Sequence, residues 1–112
     1  MTKSFSEKIL EQFEIDRERA EEIRKSIFEN GIQTAELDEK DWIIIRLLYA
    51  LYKEGRNAEH EDARKAIEWL TRGRKWIDHS ILLLCFAKIS AEEREKNVKS
   101  YEPYWRERGK WE

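Results

Sequence analysis

The sequence contains few of the residues on which small proteins build covalent or metal-bound sites. Its 112 residues include one cysteine, one proline, four glycines, one methionine and two histidines. A single cysteine excludes an intramolecular disulfide, which fits the reducing cytoplasm in which we expect the protein to work. The zinc spacings Cys-x-x-Cys and His-x-x-x-His are absent, as is the Glu-x-x-His of di-iron bundles. The sequence therefore predicts neither a metal nor a cofactor.

Long apolar runs and glycine-rich motifs are also missing. No run approaches the roughly 20 apolar residues that a membrane-spanning helix needs, and the polar N-terminus predicts no signal peptide. The Walker loop, the dinucleotide fingerprint and the Gly-x-Ser-x-Gly elbow do not occur. Cys85 lies among leucines and phenylalanine, where a buried and inert thiol is expected. Nucleotide-dependent and nucleophilic enzymes are therefore disfavoured.

Charge is what the chain has in abundance. Charged residues make up 41% of the sequence, yet the net charge is only −2, so both signs are densely mixed. This composition resembles that of proteins from high-temperature organisms, in which ion-pair networks cost less to desolvate. Residues 1–41 carry 12 acidic and 7 basic side chains, whereas residues 42–112 carry 12 acidic and 15 basic ones. An anionic partner would therefore bind the C-terminal part.

Two apolar segments predict the centre of an all-α fold. The first, DWIIIRLLYALYK, is apolar nearly all round, which is typical of a buried helix. Asp38 suits its N-cap and Gly55 its end, so we expect a central helix over 38–54. The second, SILLLCFAKI, lies in a predicted fourth helix over 77–89. At this length the chain forms one domain, a compact bundle of about five helices around these two.

The remaining predicted elements lie before, between and after these two apolar helices in the sequence. Residues 1–31 predict an amphipathic charged helix that starts at a Ser4–Glu7 capping box, with a possible break where Asp16 caps a second helix. A third helix is expected over 57–72 with Asn57 as its N-cap. A short fifth helix is expected over 90–102, from a Ser90–Glu93 capping box to Pro103, followed by an aromatic tail over 103–112.

The N-terminal helix has a narrow apolar seam at heptad spacing, interrupted by one polar residue. Its members are Ile9, Phe13, Asp16, Ala20, Ile23 and Ile27. Two interpretations remain open. The seam either packs on the core of its own chain or pairs with its copy in a second subunit.

The hexapeptide RKWIDH places Arg74 five positions before His79 near a predicted helix start. This Arg-x4-His spacing resembles the signature of the HEPN nucleases, all-helical domains of similar size that dimerise and cut RNA. The resemblance implies that His79 is the acid/base group, that Arg74 holds the scissile phosphate and that no metal is needed. The polar residue that commonly follows the arginine in that family is Lys75 here. The alternative is that His79 merely occupies the first turn of the fourth helix.

Basic residues with interleaved aromatics follow the third helix into the next turn. Cations on phosphates and aromatics under bases are typical of sequence-tolerant binding to single-stranded nucleic acid. The sequence pI of about 5.8 is lower than most such domains have. The predicted nucleic-acid-binding residues are Arg64, Lys65, Trp69, Arg72, Arg74, Lys75 and Trp76.

The tail adds a second aromatic cluster. Its predicted partner-binding residues are Tyr104, Trp105, Arg106 and Trp111, because Trp, Tyr and Arg are the preferred anchors of protein interfaces. The same side chains would alternatively fold back on the core or bind nucleic acid.

Together these patterns predict a non-enzymatic, small helical interaction or accessory protein. A subunit of a nucleic-acid-handling complex is the preferred version, and the HEPN-like ribonuclease is the alternative. We expect a protein partner or self-association, with nucleic acid as a further candidate partner and no membrane.

Overall fold

The computed structural model describes the backbone of residues 3–32 and 37–109 and the side chains of those residues up to Asn97. These residues form five helices and no strand, which confirms the prediction of an all-α bundle. The helices are α1 (Phe5–Leu10), α2 (Arg17–Asn30), α3 (Glu39–Lys53), α4 (Glu61–Thr71) and α5 (His79–Gly109). None of the described helices combines the length and the apolar character needed to cross a membrane.

The predicted N-terminal helix is divided in two. The Ser4–Glu7 capping box starts α1, and the side chain of Asp16 starts α2 by accepting from the backbone N–H of Arg19 at 3.2 Å. Gly31, with a φ of 94°, ends α2 in a conformation that favours glycine. The seam residues of α2 are buried in the core of their own chain, as the first of the two interpretations expects. They are Ala20, Ile23 and Ile27.

The predicted central helix is α3, and it lies at the centre of the core. Asp38 and Asp41 form a capping box at its start, so both aspartates accept backbone N–H groups. Ile45, Leu48 and Leu51 are buried where α3 packs against α4 and α5. The edge residue Arg46 pairs with Glu92 of α5 at 3.6 Å.

The third helix starts later than predicted. Asn57 accepts from the backbone N–H of Glu59 at 3.0 Å in a turn, and His60 is the N-cap of α4. The predicted start at residue 57 is therefore wrong, because the side chain of Asn57 caps a separate turn that precedes α4. The inner stripe of α4 is buried as its helical spacing indicates; it consists of Ala63, Ala66, Ile67 and Leu70.

The two predicted C-terminal helices are one helix, α5, which passes through Ser90 and Pro103 to Gly109. The predicted start at Ser90 and the predicted stop at Pro103 are therefore wrong. No glycine or proline lies between residues 79 and 102, so nothing makes the backbone leave the helix where the capping signal stands. Buried contacts of the described part of α5 end at Ile89, and residues 91–97 are all exposed.

Candidate functional site

Arg74 binds the capping box of α3. Its Nε donates to Asp41 at 2.7 Å, and a terminal nitrogen donates to Asp38 at 3.1 Å. Asp41 is only 3% exposed. The backbone N–H of Asp41, assisted by the charge of Arg74, holds the pKa of Asp38 below its ordinary value. The hydrogen bond to Asp41 raises the pKa of Arg74. Arg74 therefore ties the turn before α5 to the start of α3.

His79 lies in a different environment. It is the first residue of α5 and lines a cavity of about 660 Å³ between α1, α2 and the start of α5. Its Nδ1 is buried and has no hydrogen-bond partner among the described residues. Arg74 does not line this cavity. Within one chain the two residues thus lie in different environments, and the arginine–histidine ribonuclease stays a prediction.

This first cavity is lined mostly by charged residues, with two apolar residues among them. Arg24 forms an ion pair with Asp78, whose Oδ1 also accepts from the backbone N–H of Ile81 at 3.0 Å. Leu10 and Ile15 supply the apolar lining. The two apolar residues can contact an apolar side chain that enters the cavity.

The predicted nucleic-acid-binding residues are divided by the fold. Trp76 is 5% exposed and belongs to the core. Its assignment to that surface is therefore corrected, because a buried ring cannot stack on a base. Lys75 pairs with Glu14 at 3.1 Å and Lys65 pairs with Glu61 at 3.4 Å. Arg64 and Arg72 are exposed, and Arg74 is held as described above.

Trp69 has a partly exposed ring with two cations nearby. The residue is 40% exposed, and the Lys40 ammonium and the Arg72 guanidinium each lie 5.7 Å from its ring centroid. The packing of α3 against α4 brings Lys40 to this position. Nothing local in the sequence identified it, because it is 29 positions from Trp69.

A second exposed surface lies between α2 and α5, and we call it the α2–α5 surface. Phe28 is 93% exposed there and borders a cavity of about 610 Å³ with Ile27 and Leu84. Three charged residues complete the lining: Glu21, Arg24 and Lys25. Sequence reasoning missed this surface. The available signal was an aromatic residue in a charged helix, outside its apolar seam.

Other classes of site find little support. Within the described residues, no group of three or more His, Cys, Asp or Glu side chains is placed to hold a metal. Burial raises the pKa of the Cys85 thiol to about 12, so the reactive thiolate is scarce at neutral pH. The predicted partner-binding residues Tyr104, Trp105, Arg106 and Trp111 lie outside the described side chains.

The chain matches no protein-family model, no curated protein and no solved structure in the comparisons.

Proposed function

We propose that the protein is a non-enzymatic interaction module that docks on another macromolecule through the α2–α5 surface. The observation that carries this proposal is the 93% exposure of Phe28 beside Leu84 and an open cavity. Exposed apolar side chains grouped beside a cavity and rimmed by charge mark interaction sites.

The energetics of Phe28 support the proposal. Covering its side chain would remove apolar surface from water and stabilise a complex by about 2 kcal/mol. Aromatic side chains of this kind dominate interface energetics when they enter a pocket. The charged lining residues Glu21 and Lys25 would orient the partner.

Site-specific photo-crosslinking in cells of the native host tests this function. A benzophenone amino acid replaces Phe28 in one variant and Glu54, at the exposed end of α3, in a matched control. We expect a defined crosslinked species only from position 28. Equal crosslinking at both positions, or none at either, would contradict docking through the α2–α5 surface.

Single-stranded nucleic acid is a second candidate partner, favoured by the geometry around Trp69. A half-exposed indole with Lys40 and Arg72 beside it can stack on a base while the cations meet the neighbouring phosphates. Arg64, on the same helix, would extend the cationic path.

Fluorescence anisotropy of a labelled single-stranded RNA at low and at physiological salt tests this second candidate. We expect Trp69→Ala to weaken binding roughly tenfold, and higher salt to weaken it further because counterion release drives the contact. Phe28→Ala is the matched control, since it removes an exposed aromatic ring from a different face. Absence of binding at low salt would eliminate the nucleic-acid candidate.

A further inference from the structure

We propose that the partner on the α2–α5 surface is a second copy of this chain, with the two α2 helices antiparallel across a twofold axis. This proposal rests on the proposed function and names its partner.

A continuous groove runs along one side of α2. The cavity at His79 and the cavity at Phe28 share two lining residues, Glu21 and Arg24. Arg17, Glu21, Arg24 and Phe28 follow one another at spacings of four, three and four, so they lie on the same side of the helix. The buried seam residues occupy the adjoining side. The groove is thus separate from the surface that α2 uses inside its own chain.

The charges along this side are self-complementary in the antiparallel direction. The acid Glu21 precedes the base Lys25 by one helical turn, and both side chains are exposed. An antiparallel copy can place each Glu21 against the other copy's Lys25, which forms two equivalent ion pairs. A parallel copy would instead place like charges together.

The same register gives Phe28 a binding site. Phe28 lies three residues beyond Lys25, or about 4.5 Å along the axis. Phe28 of one copy therefore lies beside residue 18 of the other, between Arg17 and Glu21. These two residues line the cavity that also contains Leu10 and Ile15. Because the axis is twofold, each Phe28 enters the cavity of the other chain.

Analytical ultracentrifugation from low micromolar to several hundred micromolar protein tests the pairing. The variants are Phe28→Asp, Glu21→Lys, Lys25→Glu and the double exchange of Glu21 and Lys25. Ile43→Asp is the matched control, because Ile43 is an exposed apolar residue on α3 that lines neither of the two cavities. Far-UV circular dichroism of every variant establishes that the helices persist.

We expect the wild type and Ile43→Asp to dimerise and Phe28→Asp to be monomeric. Each single charge exchange should weaken the dimer about tenfold, since two ion pairs become two repulsions, and the double exchange should restore it. A monomeric wild type, or a double exchange no better than the single ones, overturns the proposal. If the wild type is monomeric but position 28 crosslinks another protein in cells, the docking function stands and only self-association fails.

Discussion

At the scale of single residues, Arg74 shows how the fold changes the meaning of a sequence pattern. In the sequence it stands among cations and aromatics and five positions before a histidine, so it suggests a phosphate ligand. In the structure its hydrogen bonds go to Asp38 and Asp41, more than 30 positions away. No local pattern contains that pairing, because it depends on how the turn before α5 packs against the start of α3.

Replacing Arg74 with alanine should lower the free energy of unfolding by about 2 kcal/mol. The change leaves the buried carboxylate of Asp41 without its charged donor, and an uncompensated buried charge is costly. Urea denaturation measures the effect, with Arg64→Ala as the control, which should stay within about 0.5 kcal/mol of wild type. Equal effects of the two substitutions would mean that the hydrogen bonds of Arg74 do not contribute to stability.

The capping aspartate should also make stability depend on pH. The folded-state pKa of Asp38 lies below its ordinary value of 3.8, so its contribution is complete above that value and is lost as the pH falls through the folded pKa. Asp38→Asn keeps a capping side chain but removes the charge. We expect wild type to be more stable than this variant at neutral pH, and the difference in urea denaturation to shrink below pH 3.8. A difference that does not change with pH would contradict the role of the charge.

At the scale of helices, capping signals predicted some boundaries and missed others. Ser4 and Asp38 begin helices because each is itself in an extended conformation directly before the first helical residue. Asn57 and Ser90 carry the same kind of signal but do not begin helices. A capping side chain satisfies the first backbone N–H groups only where the chain enters a helix. Where helix-forming residues stand on both sides, as around Ser90, the helix continues and the signal has no effect.

A matched pair of serine substitutions tests this distinction. Ser4→Ala should destabilise the protein by about 1 kcal/mol, because it removes the N-cap of α1. Ser90→Ala should be neutral or stabilising by up to about 0.5 kcal/mol, because alanine is the better residue inside a helix. Thermal unfolding followed by circular dichroism compares them. A loss of stability from Ser90→Ala as large as that from Ser4→Ala would indicate a helix start at residue 90.

At the scale of the whole molecule, the core was predictable and the surfaces were not. The two apolar segments became α3 and the first half of α5, and each buries one side in the core, because a helix this rich in apolar residues packs against whatever neighbours it has. Their apolar character did not predict which residues stay exposed: Ile43 and Leu83 belong to these segments and are about half exposed. The approach of Lys40 to Trp69, and the position of Phe28 and Leu84 at one cavity, depend on which helices become neighbours. Helical periodicity describes one element at a time and therefore cannot specify these contacts.

Two adjacent leucines of α5 test this division between core and surface. Leu82 is fully buried, whereas Leu83 is 47% exposed. Leu82→Ala should therefore cost about 3 kcal/mol through lost burial and a residual cavity, whereas Leu83→Ala should stay within about 1 kcal/mol. Urea denaturation at low protein concentration, where any dimer has dissociated, compares the same chemical change at neighbouring positions. Equal costs at the two positions would mean that α5 is rotated relative to the bundle, and the surfaces assigned to Leu84 and Phe28 would have to be assigned again.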